Sequence, residues 1–377
     1  MTSTFKKSLP RSAGFTIVEI LVGLLIGTLL IYTMYFVFAQ NEKASRVTSA
    51  ISETQMSGMQ TMYLMEQIVS DAGSGFMYNS VPKELLNCPD PSGSGASGLE
   101  GVFVLANGSG GDLITKPLPA VINYQEVNTA RLDELYVFSG ASAIYNDALV
   151  APQIPANLST SGSNTFNVPL NFAVGDVLVG INNAKQCETY RVTQSQQSTP
   201  GGALSVLMSG SSNLSGLSSV VNLGQASHFR FFVNDRHELQ MDQYAFTGTG
   251  WSMLASMILA SNIQMFSAQY GIDSSTPPDG VVDSWVNAND SDWTIPMMRG
   301  ANLEKIKQIR AVRIGVIVAT TEPEKADQPQ AASTLTLFES EAPSVSFTAP
   351  SVDVGSLKYR YRKYEAVIPL RNVSWAN

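Results

Sequence analysis

The sequence predicts an α+β protein. One long N-terminal α-helix, apolar in its first half and amphipathic in its second, packs on a large, mainly antiparallel β-rich head. Three observations carry this. Residues 15–39 form an almost uncharged apolar run, residues 41–70 hold apolar side chains at helical spacing with no proline, and beyond Gly101 strand-like runs alternate with turns. The chain therefore divides into segments 1–14, 15–39, 40–70 and 71–377. At 377 residues it is long enough to bury a sizeable core.

Composition removes several classes of function. The chain is 44% hydrophobic and only 14% charged, with a formal net charge of −8; ordinary soluble domains carry about 25% charged residues. A nucleic-acid-binding body is excluded, because phosphate neutralisation needs clustered Lys and Arg. Two cysteines are too few for a disulfide scaffold or a four-cysteine zinc site. Plentiful apolar and aromatic residues exclude intrinsic disorder.

Before residue 15 the only charged residues are Lys6, Lys7 and Arg11. Phe15 to Ala39 then supplies 25 residues, 19 of them hydrophobic and only Glu19 charged. At about 1.5 Å per residue, a helix of that length exceeds the roughly 30 Å hydrocarbon core of a bilayer. It is too long for the apolar region of an ordinary secretory signal. The basic cluster before it stays cytoplasmic, so everything after Ala39 lies outside. Glu19, an ionisable group within the apolar run, asks for a cationic partner; the alternative is that it snorkels to the interface. Gly23 and Gly27 form a small-xxx-small pair, which lets another helix approach closely.

The stretch Gly14-Phe15-Thr16-Ile17-Val18-Glu19, after a short basic leader, resembles the class III signal of type IV prepilins. The resemblance implies a pilin-like fold. It also implies cleavage between Gly14 and Phe15 by a prepilin peptidase and methylation of the new N-terminal Phe15. Glu19 becomes the fifth mature residue, which in the family pairs with the α-amino group of a neighbouring subunit. Two charges left alone in lipid are costly, whereas joined across an interface they neutralise each other and fix axial register. The proline that many major pilins carry in this segment is absent.

From Asn41 to Ser70 there is one glycine and no proline, with Val47, Ile51, Met59, Met62, Met65, Ile68 and Val69 at helical spacings. This predicts a continuation of the membrane helix. The stripe Met56, Met59, Met62 and Met65 reads as core packing rather than metal binding. Gly73 to Gly101 reads as loop, and its Gly93–Gly98 GxGxxG is a flexible stretch, since no helical pattern follows it. Strand candidates then include Leu132–Phe138, Val177–Ile181, Thr189–Thr193, Phe229–Val233, Gln240–Phe246, Ile263–Tyr270, Ile309–Ala319 and Tyr359–Leu370. Asn234-Asp235-Arg236 reads as a hairpin loop. In Ile309–Ala319 the alternation of Val312, Ile314, Val316 and Val318 with Arg313, Gly315 and Ile317 predicts a half-buried strand.

Several head segments resemble the minor pilin PilW family: Val174–Ile181 with Cys187–Thr193, Gln269–Asp273 followed by Asp279–Trp285, Ile309–Val318, and Tyr361–Asn372. Residues 76–170 carry no part of the resemblance.

Cys88 and Cys187 both fall beyond the membrane, where thiols pair. A disulfide closing that loop would stabilise by about 4–5 kcal/mol in the chain-entropy model; two unpaired buried cysteines are the alternative. Asp273, Asp279 and Asp283 are candidate calcium ligands in a loop-like stretch. Pro277 and Pro278 interrupt the pattern, and turn chemistry is the competing reading. No other cofactor and no catalytic residue is expected. The two histidines, His228 and His237, sit nine apart, on opposite faces if one strand ran through both. There is no nucleophile elbow and no phosphate-binding loop.

The resemblance implies a minor pilin that helps prime type IV pilus assembly within a tip complex. Implied partners are other minor pilins, the major pilin, a tip adhesin and the prepilin peptidase, in a hetero-oligomer. The implied location is the inner membrane, with the head periplasmic, and then the pilus tip at the cell surface. A minor pseudopilin of type II secretion shares the same signal and fold class, and a membrane-anchored periplasmic enzyme is the third reading.

Overall fold

The computed structural model describes residues 16–73, 104–106, 112–114, 120–123, 126–127, 130–140, 149–150, 163–166, 173–183, 187–197, 204–209, 217–247, 251–294, 305, 308–326 and 328–371. The chain separates into two compact units, Met1–Glu53 and Thr54–Asn377.

A single helix, Ile17–Ser70, carries both sequence patterns. In the first unit its apolar side chains, among them Leu21, Leu25, Ile31, Tyr35 and Phe38, are exposed. The helix is long and apolar enough to cross a membrane, and none of its apolar window is buried inside the chain. That is compatible with a single-pass anchor.

In the second unit the same helix, from Thr54, is amphipathic and docks along its whole length. Thr61 Oγ1 donates to the Leu259 carbonyl at 3.0 Å, and Tyr364 Oη donates to the Thr54 carbonyl at 3.3 Å. At Gly58 the ring of Tyr364 packs so closely that a Cβ would lie 2.6 Å from it, so glycine is what permits the contact. Met65, Val69 and Ala72 enter the main core. The methionine stripe is only half core: Met65 is buried and Met62 half-buried, but Met56 and Met59 are exposed. A step of three residues falls about 60° short of a full turn, so four methionines at that spacing spread over about half the helix circumference.

Among the described residues the head has three larger antiparallel sheets, accompanied by four two-stranded ribbons. The first has six strands in the order Leu149–Val150, Leu217–Gly224, Val177–Asn182, Cys187–Gln197, Leu204–Ser209, Ser163–Phe166. The second runs Trp251–Ala260, Leu239–Phe246, Ser227–Val233, Glu134–Ser139, Ala120–Asn123. The third runs Ser284–Val286, Ile263–Ile272, Ile309–Ala319, Tyr361–Pro369. Ile122, Leu135 and Phe231 of the second sheet meet Phe266, Tyr270, Val312, Ile314 and Val316 of the third in one core. Val177, Val179 and Leu223 of the first belong to it too. The Asn234–Glu238 hairpin forms where expected: Asn234 Oδ1 accepts from the amides of Arg236 at 2.9 Å and Glu238 at 3.0 Å.

Ile309–Ala319 departs from its half-buried expectation, for all eleven residues are buried. One face of the strand belongs to the main core. The other is covered by a two-stranded ribbon, Ser333–Leu337 with Val345–Ala349, whose Leu337 and Phe338 pack with Ile317 and Met265. A Cβ on Gly315 would lie 2.8 Å from Leu337, which measures how closely the ribbon approaches.

Candidate assembly site and its supporting head

Thr16 begins the helix, and its hydroxyl accepts from the Glu19 amide at 3.3 Å. The Glu19 carboxylate in turn accepts from the Thr16 amide and hydroxyl, each at 3.4 Å. This is a reciprocal capping box, in which T-x-x-E satisfies otherwise orphaned donors at a helix start. It also places a negative charge at the positive end of the helix dipole. These bonds are long and exposed, so a stronger cationic donor from another chain would displace them. Gly14 and Phe15 lie outside the described residues, as does the Cys88–Cys187 pairing.

Ionic groups in the head face one another. Where the second and third sheets meet, Leu132 forms a parallel bridge with Phe266. Beside it the buried Arg131 donates to Asp133 Oδ2 at 2.8 Å, and Asp133 Oδ2 also accepts from the Ala268 amide at 2.9 Å. Arg131 Nη1 donates to Asn287 Oδ1 at 2.7 Å, and Gln269 Nε2 donates to the same oxygen at 2.8 Å. Gln269 Oε1 then accepts from Arg313 Nε at 2.6 Å. A polar chain thus runs from the sheet junction to the ribbon side of the third sheet. Arg313 ends it between two rings, 4.6 Å from the centroid of Trp285 and 4.4 Å from that of Phe338. Arg313 Nη2 donates to the Pro343 carbonyl at 3.0 Å, and Trp285 Nε1 donates to Glu341. Burial draws the Arg313 pKa down to about 10, with Glu341 and Glu365 opposing, so it remains a cation at neutral pH.

The three candidate calcium ligands are engaged by donors. Asp273 Oδ1 accepts from the Ser275 hydroxyl at 2.6 Å, and Oδ2 from the Gly280 amide at 2.8 Å and Arg310 Nε at 3.2 Å. The Ser275 hydroxyl foremost, then the Gly280 amide and the Arg310 guanidinium, hold this carboxyl at about 2, against the opposing effect of desolvation. Asp283 Oδ2 accepts from Ser274 N and Oγ at 2.8 and 3.0 Å, and Asp279 Oδ1 from the Val281 amide at 2.9 Å. Carboxylates turned toward amides and a guanidinium form a loop brace, a poor donor set for a cation. Among the described residues no three His, Cys, Asp or Glu side chains gather into a group that could hold a metal.

His228 is buried on its strand, edge-on to Phe138 at 5.0 Å. His237 lies in the hairpin loop with φ 59° and Nδ1 3.1 Å from the Ile263 carbonyl, so no single strand carries both rings. Arg310 and Arg313 are internal partners that no sequence motif marks. Their signal was two arginines in an otherwise apolar strand.

The family model described as Type IV Pilus-assembly protein W matches residues 230–372. The match takes in the Asp273 loop, the Ile309–Ala319 strand and the ribbon, whereas Val174–Thr193 lies before it. No curated protein and no solved structure matches the chain. The part of the head that holds Asp273, Arg310 and Arg313 is thus similar to the type IV pilus-assembly protein W family, a likeness that supports a type IV pilus-related role.

Proposed function

We propose that this chain is a minor pilin that helps prime type IV pilus assembly as part of a tip complex with other minor pilins. The observation that carries the reading is one helix joining two chemistries: an exposed apolar stretch opened by Glu19, and an amphipathic stretch docked on a head that matches a pilus-assembly family. In this reading the prepilin peptidase cuts between Gly14 and Phe15, and Phe15 is methylated. The subunit waits in the inner membrane with its head periplasmic. Glu19 leaves its own Thr16 cap for the α-amino group of a neighbouring subunit, which neutralises two charges that lipid disfavours. The subunit then joins the major pilin and a tip adhesin at the cell surface. Its work is assembly, without a reaction or a cofactor of its own, and a Cys88–Cys187 disulfide would brace the head in the oxidising periplasm.

Two measurements test this. N-terminal sequencing of the mature chain is expected to return methyl-Phe15. Glu19→Ala should insert into the membrane normally yet be depleted from sheared pili, and unchanged incorporation would remove the role given to Glu19. Deleting the chain should abolish surface pili; loss of protein secretion with pili intact would instead make it a type II pseudopilin.

A further inference from the structure

Ten consecutive residues, Trp251–Ala260, form the end strand of the second sheet. Among the described residues its outer edge pairs with nothing. Its sequence, WSMLASMILA, contains no charge and no proline. An unpaired row of N–H and C=O groups templates pairing with another chain, and proteins blunt such edges with Lys, Pro, inward charges or a covering element. The edge of the third sheet is blunted in this way: Tyr361–Pro369 carries Arg362, Lys363 and Glu365 and ends in proline. Trp251–Ala260 has only two register irregularities against its neighbour.

The side chains of this strand are as uncovered as its edge. Residues 252–258 are exposed on both faces, with Met253 at 56%, Leu254 at 66%, Met257 at 46% and Ile258 at 54%. One strand inward, Leu239, Met241, Asp242 and Phe246 are all buried. Over residues 252–258 the layers on both sides of the sheet therefore stop one strand short; the helix reaches the outer strand at its end, where Thr61 donates to the Leu259 carbonyl.

We infer that the Trp251–Ala260 edge receives an uncharged β-strand from a different subunit held in the same membrane by its own N-terminal helix. This rests on the reading of the chain as one subunit of a multi-subunit assembly. Charge sets the chemistry of the occupant, because an ionised side chain laid against this strand would lose water and gain no counter-ion. Area sets its location. A ten-residue strand is about 33 Å long, and one strand laid along it buries on the order of several hundred Å², below the roughly 1,200–2,000 Å² of stable independent interfaces. A partner already anchored alongside needs only that contact, since anchoring makes the second event effectively intramolecular.

Geometry separates a different subunit from a second copy. Antiparallel pairing of two identical edges requires a twofold axis perpendicular to the sheet. Such an axis reverses every direction lying along the sheet, including that of the helix end, which crosses this sheet from the Thr61 bond to the Leu259 carbonyl on the outer strand to the Gly73 amide's bond to the Phe138 carbonyl three strands inward. Two copies that both enter one membrane through the N-terminal end of that helix cannot be so related.

The test uses the full chain in its own membrane, with a photo-cross-linking residue placed singly at positions 252, 254, 256 and 258, and at Val367 on the charged edge for comparison. The expected result is one adduct at all four positions, to a chain with its own N-terminal apolar helix. Its cross-linked site should move two residues for each two-residue step. Adducts only to a second copy, adducts scattered over unrelated chains, no adducts, or equal yield at Val367 would each overturn the inference. The double variant Leu254→Lys/Ile258→Lys should retain the unfolding midpoint of the unsubstituted chain while surface pili fall about tenfold or more. Normal pili from this variant, with Glu19→Ala defective, would sink the docking edge and leave the pilus reading standing. Normal pili from cells deleted for the chain would sink the pilus reading itself.

Discussion

Two strands of the head invert the usual relation between composition and exposure. Ile309–Ala319 contains two arginines and is buried at every residue, whereas Trp251–Ala260 contains no charge and is exposed over residues 252–258. The difference lies in layers and partners. The first strand sits between the main core and the ribbon, and its arginines arrive with acceptors: Arg310 with Asp273, Arg313 with Gln269 and the Pro343 carbonyl. The second has one neighbouring strand among the described residues, and the helix meets it only at the Leu259 end. Burying a charge is tolerable when it is paired and hydrogen-bonded, and apolar surface is left in water when folding alone supplies nothing to lay on it.

The contrast breaks most severely if the inner strand loses a partner. Asp273→Ala would leave the Arg310 guanidinium buried without one of its acceptors and release the Gly280 amide and Ser275 hydroxyl. Removing one member of a buried ion pair costs about 3–5 kcal/mol, readable by denaturant unfolding of the full chain in detergent. The same carboxylate sets an acid limit. Its folded pKa, about 2, lies below the ordinary aspartate value of 3.8, so its stabilisation is complete above that value and drains away as pH falls through about 2. Asp273→Asn should flatten the stability profile between those two pH values; a profile with its slope unchanged would assign acid lability to other groups.

Next comes Arg313→Leu. It removes the cation from between Trp285 and Phe338 and strips a donor from Gln269 and from the Pro343 carbonyl. A loss of about 2–4 kcal/mol is expected. A smaller change would mean that the apolar replacement satisfies the site, as it does in some buried ion pairs.

Both strands also show what the residues announced and what they withheld. The helix was legible through Ser70 because apolar spacing and the absence of proline persist to that residue. The full burial of Ile309–Ala319 is hidden in the sequence because its alternation with Arg313 and Gly315 resembles a strand with one wet face. The ribbon that dries that face, Ser333–Leu337 with Val345–Ala349, is short, Ser- and Thr-rich and mostly exposed, so it leaves little apolar signal. Trp251–Ala260 carries no strand signal for the opposite reason. Met, Leu and Ala favour helices, and its apolar residues do not alternate because both faces are open. Among candidate site residues, Glu19 was legible from charge in an apolar run. The Asp273 brace was not, since its partner Arg310 lies 37 positions away.

A single methyl group sharpens the comparison further. Gly315→Ala places a Cβ 2.8 Å from Leu337 and 3.0 Å from Phe338, so the ribbon must shift. Overpacking of this kind costs about 1–3 kcal/mol. Leu337→Ala in the same chain should recover part of that loss by making room, and a double variant no more stable than the additive sum would place the strain elsewhere.

The smallest expected effect is the most discriminating. Leu254→Lys adds a charged, four-carbon side chain to the outer strand, yet Leu254 is already largely exposed. The lysine head stays in water and its stem lies along the strand. Stability of the full chain should therefore change by no more than about 0.5 kcal/mol, as at ordinary surface positions. The same replacement at Val316, in the inner strand, should prevent folding, because it forces an unpaired ammonium into the core. If Leu254→Lys destabilised the isolated chain by more than about 1 kcal/mol, the strand would be covered by the chain's own segments. The inversion between the two strands would then be a property of the head alone rather than of the partner it lacks.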